Sequence, residues 1–175
     1  MAGLPADIEG YREFVAARLE SLRRTAYLLC GDWHTADDLV STALVKLLRH
    51  WRRVSAMDSP DAYVRRTLLR VWLDERRRPW RRESSWADVP DVAVRAASDG
   101  TADRLTLLAL LAELPPRRRA VLVLRYFCDL SVEETARELG CTTGTVKSQA
   151  ARAIEALRGR LVPAPATSRE VRTDG

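Results

Sequence analysis

The chain is short of the residue types that usually announce chemistry. Its 175 residues hold 3 cysteines, 2 histidines, 8 glycines and 8 prolines. Cys30, Cys128 and Cys141 are odd in number, far apart and in no CxxC pair, which argues against a disulfide framework or a zinc site and fits a reducing compartment. His34 and His50 have no metal-ligand spacing to any cysteine. There is no GxSxG, no Gly-rich phosphate loop and no HExxH, so no enzyme activity, catalytic residue, metal or cofactor is expected. Runs rich in Val, Ile or Thr are scarce, which speaks against sheet. No charged-then-apolar leader opens the chain, and the longest apolar stretch, around residues 107–112, is far too short for a membrane span. A cytoplasmic protein without membrane insertion is expected. Lysine is nearly missing as well: apart from Lys46 and Lys147, every basic side chain is arginine.

What is present suits a globular chain, with 46% hydrophobic and 30% charged residues. The net charge of +5 is unevenly spread. Residues 1–82 carry 16 basic and 11 acidic side chains, residues 83–103 carry 1 and 5, and residues 104–175 carry 12 and 8. Two basic blocks around an acidic middle suggest two modules that face a polyanion and a connector that does not.

Apolar residues recur at three- and four-residue steps in each block, the signature of amphipathic helices. Tyr11, Phe14, Val15, Leu19, Leu22, Ala26 and Leu29 define a first helix, broken by Gly31 and Asp32. Ala36, Val40, Ala43, Leu44, Leu47, Leu48 and Trp51 define a second, with Asp37 and Asp38 expected at its start, where acids complement the helix dipole. Ser59, Pro60 and Asp61 open a third through Val64, Leu68, Val71 and Trp72, ending in a basic run from Arg76 to Arg82. Residues 83–103 show no period and are expected to be a linker. Beyond it come a helix around Leu105, Leu108 and Leu111, another through Val121, Leu122, Leu124 and Tyr126, and a pair beginning at Ser131 and Thr142. The expected architecture is all-α: two small helical domains at 8–82 and 104–161, a flexible acidic linker, and a disordered tail at 162–175.

The sharpest motif is the last helical pair. Ser131 and Glu134 form a capping box, and Ala136, Gly140 and Val146 stand at helix-turn-helix spacing. A small residue lets the helices approach, glycine allows the turn, and a branched residue anchors the second helix. With Val146, Ala150, Ile154 and Leu157 inward, Thr145, Lys147, Ser148, Gln149 and Arg152 are left for phosphates and base edges. An ordinary helical hairpin is the plainer alternative. A second signal is the Arg-dense third helix, where Arg65, Arg66, Arg70, Arg76 and Arg77 accompany Tyr63, Trp72 and Trp80. Arginine neutralises phosphate and aromatic faces stack on unpaired bases, although Trp72 lies near the apolar stripe and suits the core.

In residues 25–48, 61–78 and 114–158 the sequence resembles the extracytoplasmic-function sigma factors, particularly an actinobacterial subgroup. The resemblance implies that region two docks on the clamp of core RNA polymerase through Asp37, Asp38, Leu39 and Ser41. It implies that residues 54–58, including Val54, Ser55 and Met57, receive a flipped −10 base, with Arg65, Arg66, Arg70, Arg76 and Arg77 along the melted strand. Region four would read the −35 element with Thr145, Lys147, Ser148, Gln149 and Arg152 and meet the polymerase flap. Arg70, Gln149 and Ser41 depart from the commoner Asn, Arg and Gln or Glu. The partners implied are core polymerase, promoter DNA and, as a regulator, an anti-sigma factor. A stand-alone helix-turn-helix regulator is the rival reading; it leaves the Arg-aromatic helix without a task.

Overall fold

Helix α1 (Ile8–Cys30) starts where the Asp7 carboxylate accepts the Gly10 N–H at 3.0 Å. It stops at Gly31, whose φ of 85° is left-handed and whose N–H closes the last turn on the Tyr27 carbonyl at 2.7 Å. Asp32 then caps helix α2 (Trp33–Val54) by accepting the Thr35 N–H at 2.7 Å. Asp37 and Asp38 therefore lie in the second turn of α2, not at its start as expected. In helix α3 (Pro60–Arg77) the Ser59 hydroxyl accepts the Ala62 N–H at 3.3 Å and Pro60 takes the first helical position, as its sequence announces.

The computed structural model describes residues 7–77 and 101–161, and every regular element among them is helical. Residues 83–100 of the expected linker, Arg78, Trp80, Arg81 and Arg82, and the expected tail lie outside the described residues.

Helices α1 to α3 close around one core. Leu29, Leu47, Leu68 and Val54 are fully buried, and Trp51 and Trp72 are at most 4% exposed. Removing each such leucine from water is worth about 1.5–3 kcal/mol. Tyr11 and Phe14 lay their rings against Trp51 at centroid distances of 5.6 and 5.2 Å, and the Tyr11 hydroxyl donates to the Leu44 carbonyl at 3.0 Å. The Arg18 guanidinium grips Asp61 with two hydrogen bonds and so ties α1 to α3.

The C-terminal half comprises α4 (Thr101–Glu113), α5 (Pro116–Leu122), a π-helical turn (Val123–Phe127), α6 (Val132–Leu139) and α7 (Thr143–Leu161). Helix α4 begins at Thr101, inside the stretch expected to be linker. The sequence reading carries the helix of Val121 on through Tyr126; instead α5 ends at Leu122 and the chain widens by one residue. The Cys128 N–H reaches back to the Val123 carbonyl at 3.0 Å, and Asp129 at φ 52° lets the Leu130 N–H bond the Leu124 carbonyl. That register keeps Val123 and Leu124 buried and leaves Tyr126 and Phe127 exposed.

Two small clusters hold this half together: Leu111, Leu114, Leu122 and Ala153, and Val121, Ala136 and Val146. Ala120, Val123, Leu124 and Leu130 of this half belong instead to the core of α1–α3. The two bundles are packed against each other.

Candidate nucleic-acid interface

The turn between α6 and α7 is built from local chemistry. Ser131 and Glu134 complete the capping box, with the Ser131 N–H donating to the Glu134 carboxylate at 2.8 Å and the Glu134 N–H to Ser131 Oγ at 3.1 Å. These contacts hold the Glu134 carboxyl below its ordinary range. Gly140 ends α6 at φ 62°, and Thr142 Oγ1 accepts the Thr145 N–H at 3.1 Å to begin α7. Ala136 and Val146 meet in the small cluster with Val121, which sets the angle between the helices.

This anchoring leaves Lys147, Ser148 and Arg152 exposed on one face of α7. Thr145 is half-buried, its hydroxyl 2.9 Å from that of Thr142, and Ser148 Oγ donates to the Thr145 carbonyl. Gln149 is half-buried and accepts from Arg118 Nε of α5 at 3.3 Å. Arg118 thus stands beside the recognition face. Its sequence signal was only its place in the run Arg117 to Arg119.

The residues expected along a melted strand are less uniform. Val54 is fully buried and its side chain stays in the core, whereas Ser55 and Met57 are exposed. Arg70, Arg76 and Arg77 are exposed, with the Arg76 guanidinium 6.0 Å from the Trp72 ring centre. Arg65 is engaged: its Nη2 and Nε donate to Glu138 Oε1 of α6 at 2.8 and 3.1 Å. Beside it, Arg66 Nε is buried without a hydrogen-bond partner. Glu138 is buried, which pushes its carboxyl above the ordinary range against the pull of Arg65 and Arg66. An open basic pocket lined by Arg49, His50, Arg52 and Arg53 adjoins residues 54–58 at the end of α2. Sequence reasoning passed over it, although the density of arginine there was visible.

On α2, Asp37 is held by Arg23 at 2.6 and 3.0 Å, which lowers its carboxyl pKa. Leu39 is 3% exposed and belongs to the core. Asp38 and Ser41 face solvent, and His34 Nδ1 lies 3.6 Å from the Asp38 carboxylate. Trp33, also exposed, stacks on Tyr27 with ring centres 4.0 Å apart and planes 7° apart. Of the expected polymerase-facing residues, Asp38 and Ser41 are therefore exposed, Asp37 is half-exposed and tied to Arg23, and Leu39 is buried.

A family model described as Sigma-70 region 2 matches residues 14–82, and one described as Sigma-70, region 4 matches residues 104–157. The chain is 36% identical over 151 residues to an RNA polymerase sigma-E factor of Streptomyces avermitilis, covering 86% of this chain and 84% of that protein. It is 30% identical over 142 residues to the ECF RNA polymerase sigma factor SigL of Mycobacterium tuberculosis, covering 78% and 80%. Its fold is similar to the sigma factor RpoE crystallised with the anti-sigma factor NepR from Bartonella quintana, at a TM-score of 0.74 and 24% identity, over 86% of this chain and 96% of that one. A TM-score of 0.62 at 20% identity relates it to CnrH in complex with the cytosolic domain of CnrY, over 89% and 90% of the two chains.

Proposed function

The chain belongs to the extracytoplasmic-function RNA polymerase sigma factors, and from that premise we propose how its own residues divide the work of initiation. Asp38 and Ser41 on α2 dock on the clamp of core polymerase. The exposed face of α7 enters the major groove of the −35 element, with Lys147 and Ser148 on phosphate and Arg152 on a base edge. Helix α3 and residues 55–58 follow the −10 strand, where Arg70, Arg76 and Arg77 neutralise phosphate. Bond synthesis is left to the polymerase, so the protein acts in the cytoplasm where that enzyme works. The similar RpoE was solved with the anti-sigma factor NepR, which makes such a protein the candidate regulator.

The observation that carries this reading is the face of α7, anchored from behind by Val146 and left free in front. Run-off transcription from a promoter library with core polymerase tests it. Specific transcripts that require both proteins are expected, and Asp38→Arg should weaken core binding at least several-fold while the melting temperature holds. Binding to a single site, with no response to core polymerase, would favour the stand-alone regulator instead.

A further inference from the structure

Helix α5 packs against α7. Its Val121 shares a cluster with Val146 and its Leu122 with Ala153, so the residues one turn earlier are carried to the edge of the face that α7 leaves bare. Arg118 is the one that arrives there. It is half-buried, whereas Arg117 is exposed and Arg119 is buried and donates to the Leu28 carbonyl. The Arg118 Nε donates to Gln149 Oε1 at 3.3 Å, and among the described residues this is its only hydrogen bond. Gln149 lies four residues after Thr145 and three before Arg152, on the stripe of α7 that those two share.

The contact fixes which end of the amide is which. A guanidinium carries donors and no acceptor, so the atom that faces it must be the amide oxygen. The Nε2 group, engaged by no hydrogen bond among the described residues, is left on the other side. A glutamine free to turn pairs with adenine in the major groove, accepting from N6 and donating to N7. With its oxygen held toward α5, Gln149 offers donors alone, and these suit guanine, whose N7 and O6 are both acceptors.

We propose that Arg118 is a positioning residue for the −35-reading face: through Gln149 Oε1 it turns the amide so that Nε2 meets the groove and selects guanine over adenine at one base pair. The proposal rests on the groove-facing role given to α7 above; the hydrogen bond itself does not. The charge of Arg118 strengthens the selection without touching a base, because an amide whose oxygen accepts from a cation has more polarised N–H groups.

The test uses the full chain with core polymerase and a promoter library randomised over the −35 element. The parent should prefer guanine at one position, and Gln149→Ala should abolish that preference. In Arg118→Ala, adenine should gain roughly fivefold or more on guanine at the same position, with the other positions unchanged. Arg118→Lys, which keeps a donor and a charge, should restore part of the guanine preference. Once Gln149 is alanine, removing Arg118 as well should leave the profile as it is. The hold on the amide is read separately, without DNA, by NMR of the Gln149 side-chain amide, assigned by its absence in Gln149→Ala. Its resonances should move in Arg118→Ala and lie nearer the parent's in Arg118→Lys. Resonances that stay in place would overturn the hold. A sharp parent profile that Arg118→Ala leaves unaltered would overturn the positioning role alone. A loss spread equally over all sequences, with a shallower salt slope, would also overturn it and make Arg118 a phosphate contact. A parent whose amide responds to Arg118 but which shows no preference at any −35 position would sink the groove-facing role of α7 together with the selection, so the two failures are told apart.

Discussion

The bundle α1–α3 and the bundle α4–α7 are similar in helix count and opposite in what holds them. The first has a continuous interior in which Leu29, Leu47, Leu68, Leu69 and Trp72 are each at most 2% exposed. The second divides its interior into clusters of four and three buried residues and lodges Val123 and Leu124 in its neighbour. Both bundles fix their helix ends, the first through Asp7, Gly31, Asp32 and Ser59 and the second through the capping box, Gly140 and the Thr142 cap, but in the second those ends support a smaller interior. On the proposed reading α7 lies in a groove and needs one face bare, so it is anchored from behind and at its termini. The first bundle carries no such demand on α1, which buries Leu22, Ala26 and Leu29 in the shared interior.

The contrast can be broken most directly at Leu47. Leu47→Ala should cost about 2–5 kcal/mol in denaturant unfolding, because it empties the centre of the larger core. A loss no greater than that of a cap substitution in the second bundle would erase the distinction.

Arg152 sharpens it from the other side. Arg152→Ala should weaken −35-dependent initiation by about 1–3 kcal/mol and change preference at one base position, while unfolding stays within roughly 0.5 kcal/mol of the parent. A uniform loss on every sequence with a shallower salt slope would make it a phosphate contact instead.

The smallest effect belongs to the cap. Ser131→Ala should cost about 1 kcal/mol by thermal melting. Since the capping box holds the Glu134 carboxyl below its ordinary value, its contribution is present above the ordinary glutamate pKa and is lost as pH falls through the lowered one. The parent should therefore lose part of its advantage over the variant on acidification, and a difference that does not change with pH would exclude the carboxylate from the cap.

Most of the helices were legible because their causes are local. Ser59 with Pro60, Ser131 with Glu134, and the stripes through Leu22, Leu47 and Leu68 each lie within a few turns of chain. The same locality explains why Ala136, Gly140 and Val146 announced the turn between α6 and α7. Asp37 and Asp38 were misplaced because the apolar stripe of α2 begins at Ala36, while its cap, Asp32, was spent in explaining where α1 ends. The π-helical turn was hidden by an apolar pattern that runs on without a break; its cause is Asp129 and the docking of Leu130. Val54 and Leu39 were assigned to surfaces by resemblance to a family, which carries position but not the direction of a side chain. Glu138 and Arg119 could not be found at all, since their partners Arg65 and Leu28 stand 73 and 91 residues away.

That separation has a consequence for how the protein is made. A ribosome adds roughly 5–20 residues per second, so the fifty to sixty residues between the end of α3 and Cys128 or Glu138 take about 3–12 s to appear. Helices α1 to α3 can settle around their shared interior during that interval, before the side chains that will cover Arg65 exist. Every newly synthesised molecule thus passes through a short period with α3 uncovered, and the order of translation makes the covering contact form only after the first bundle's own.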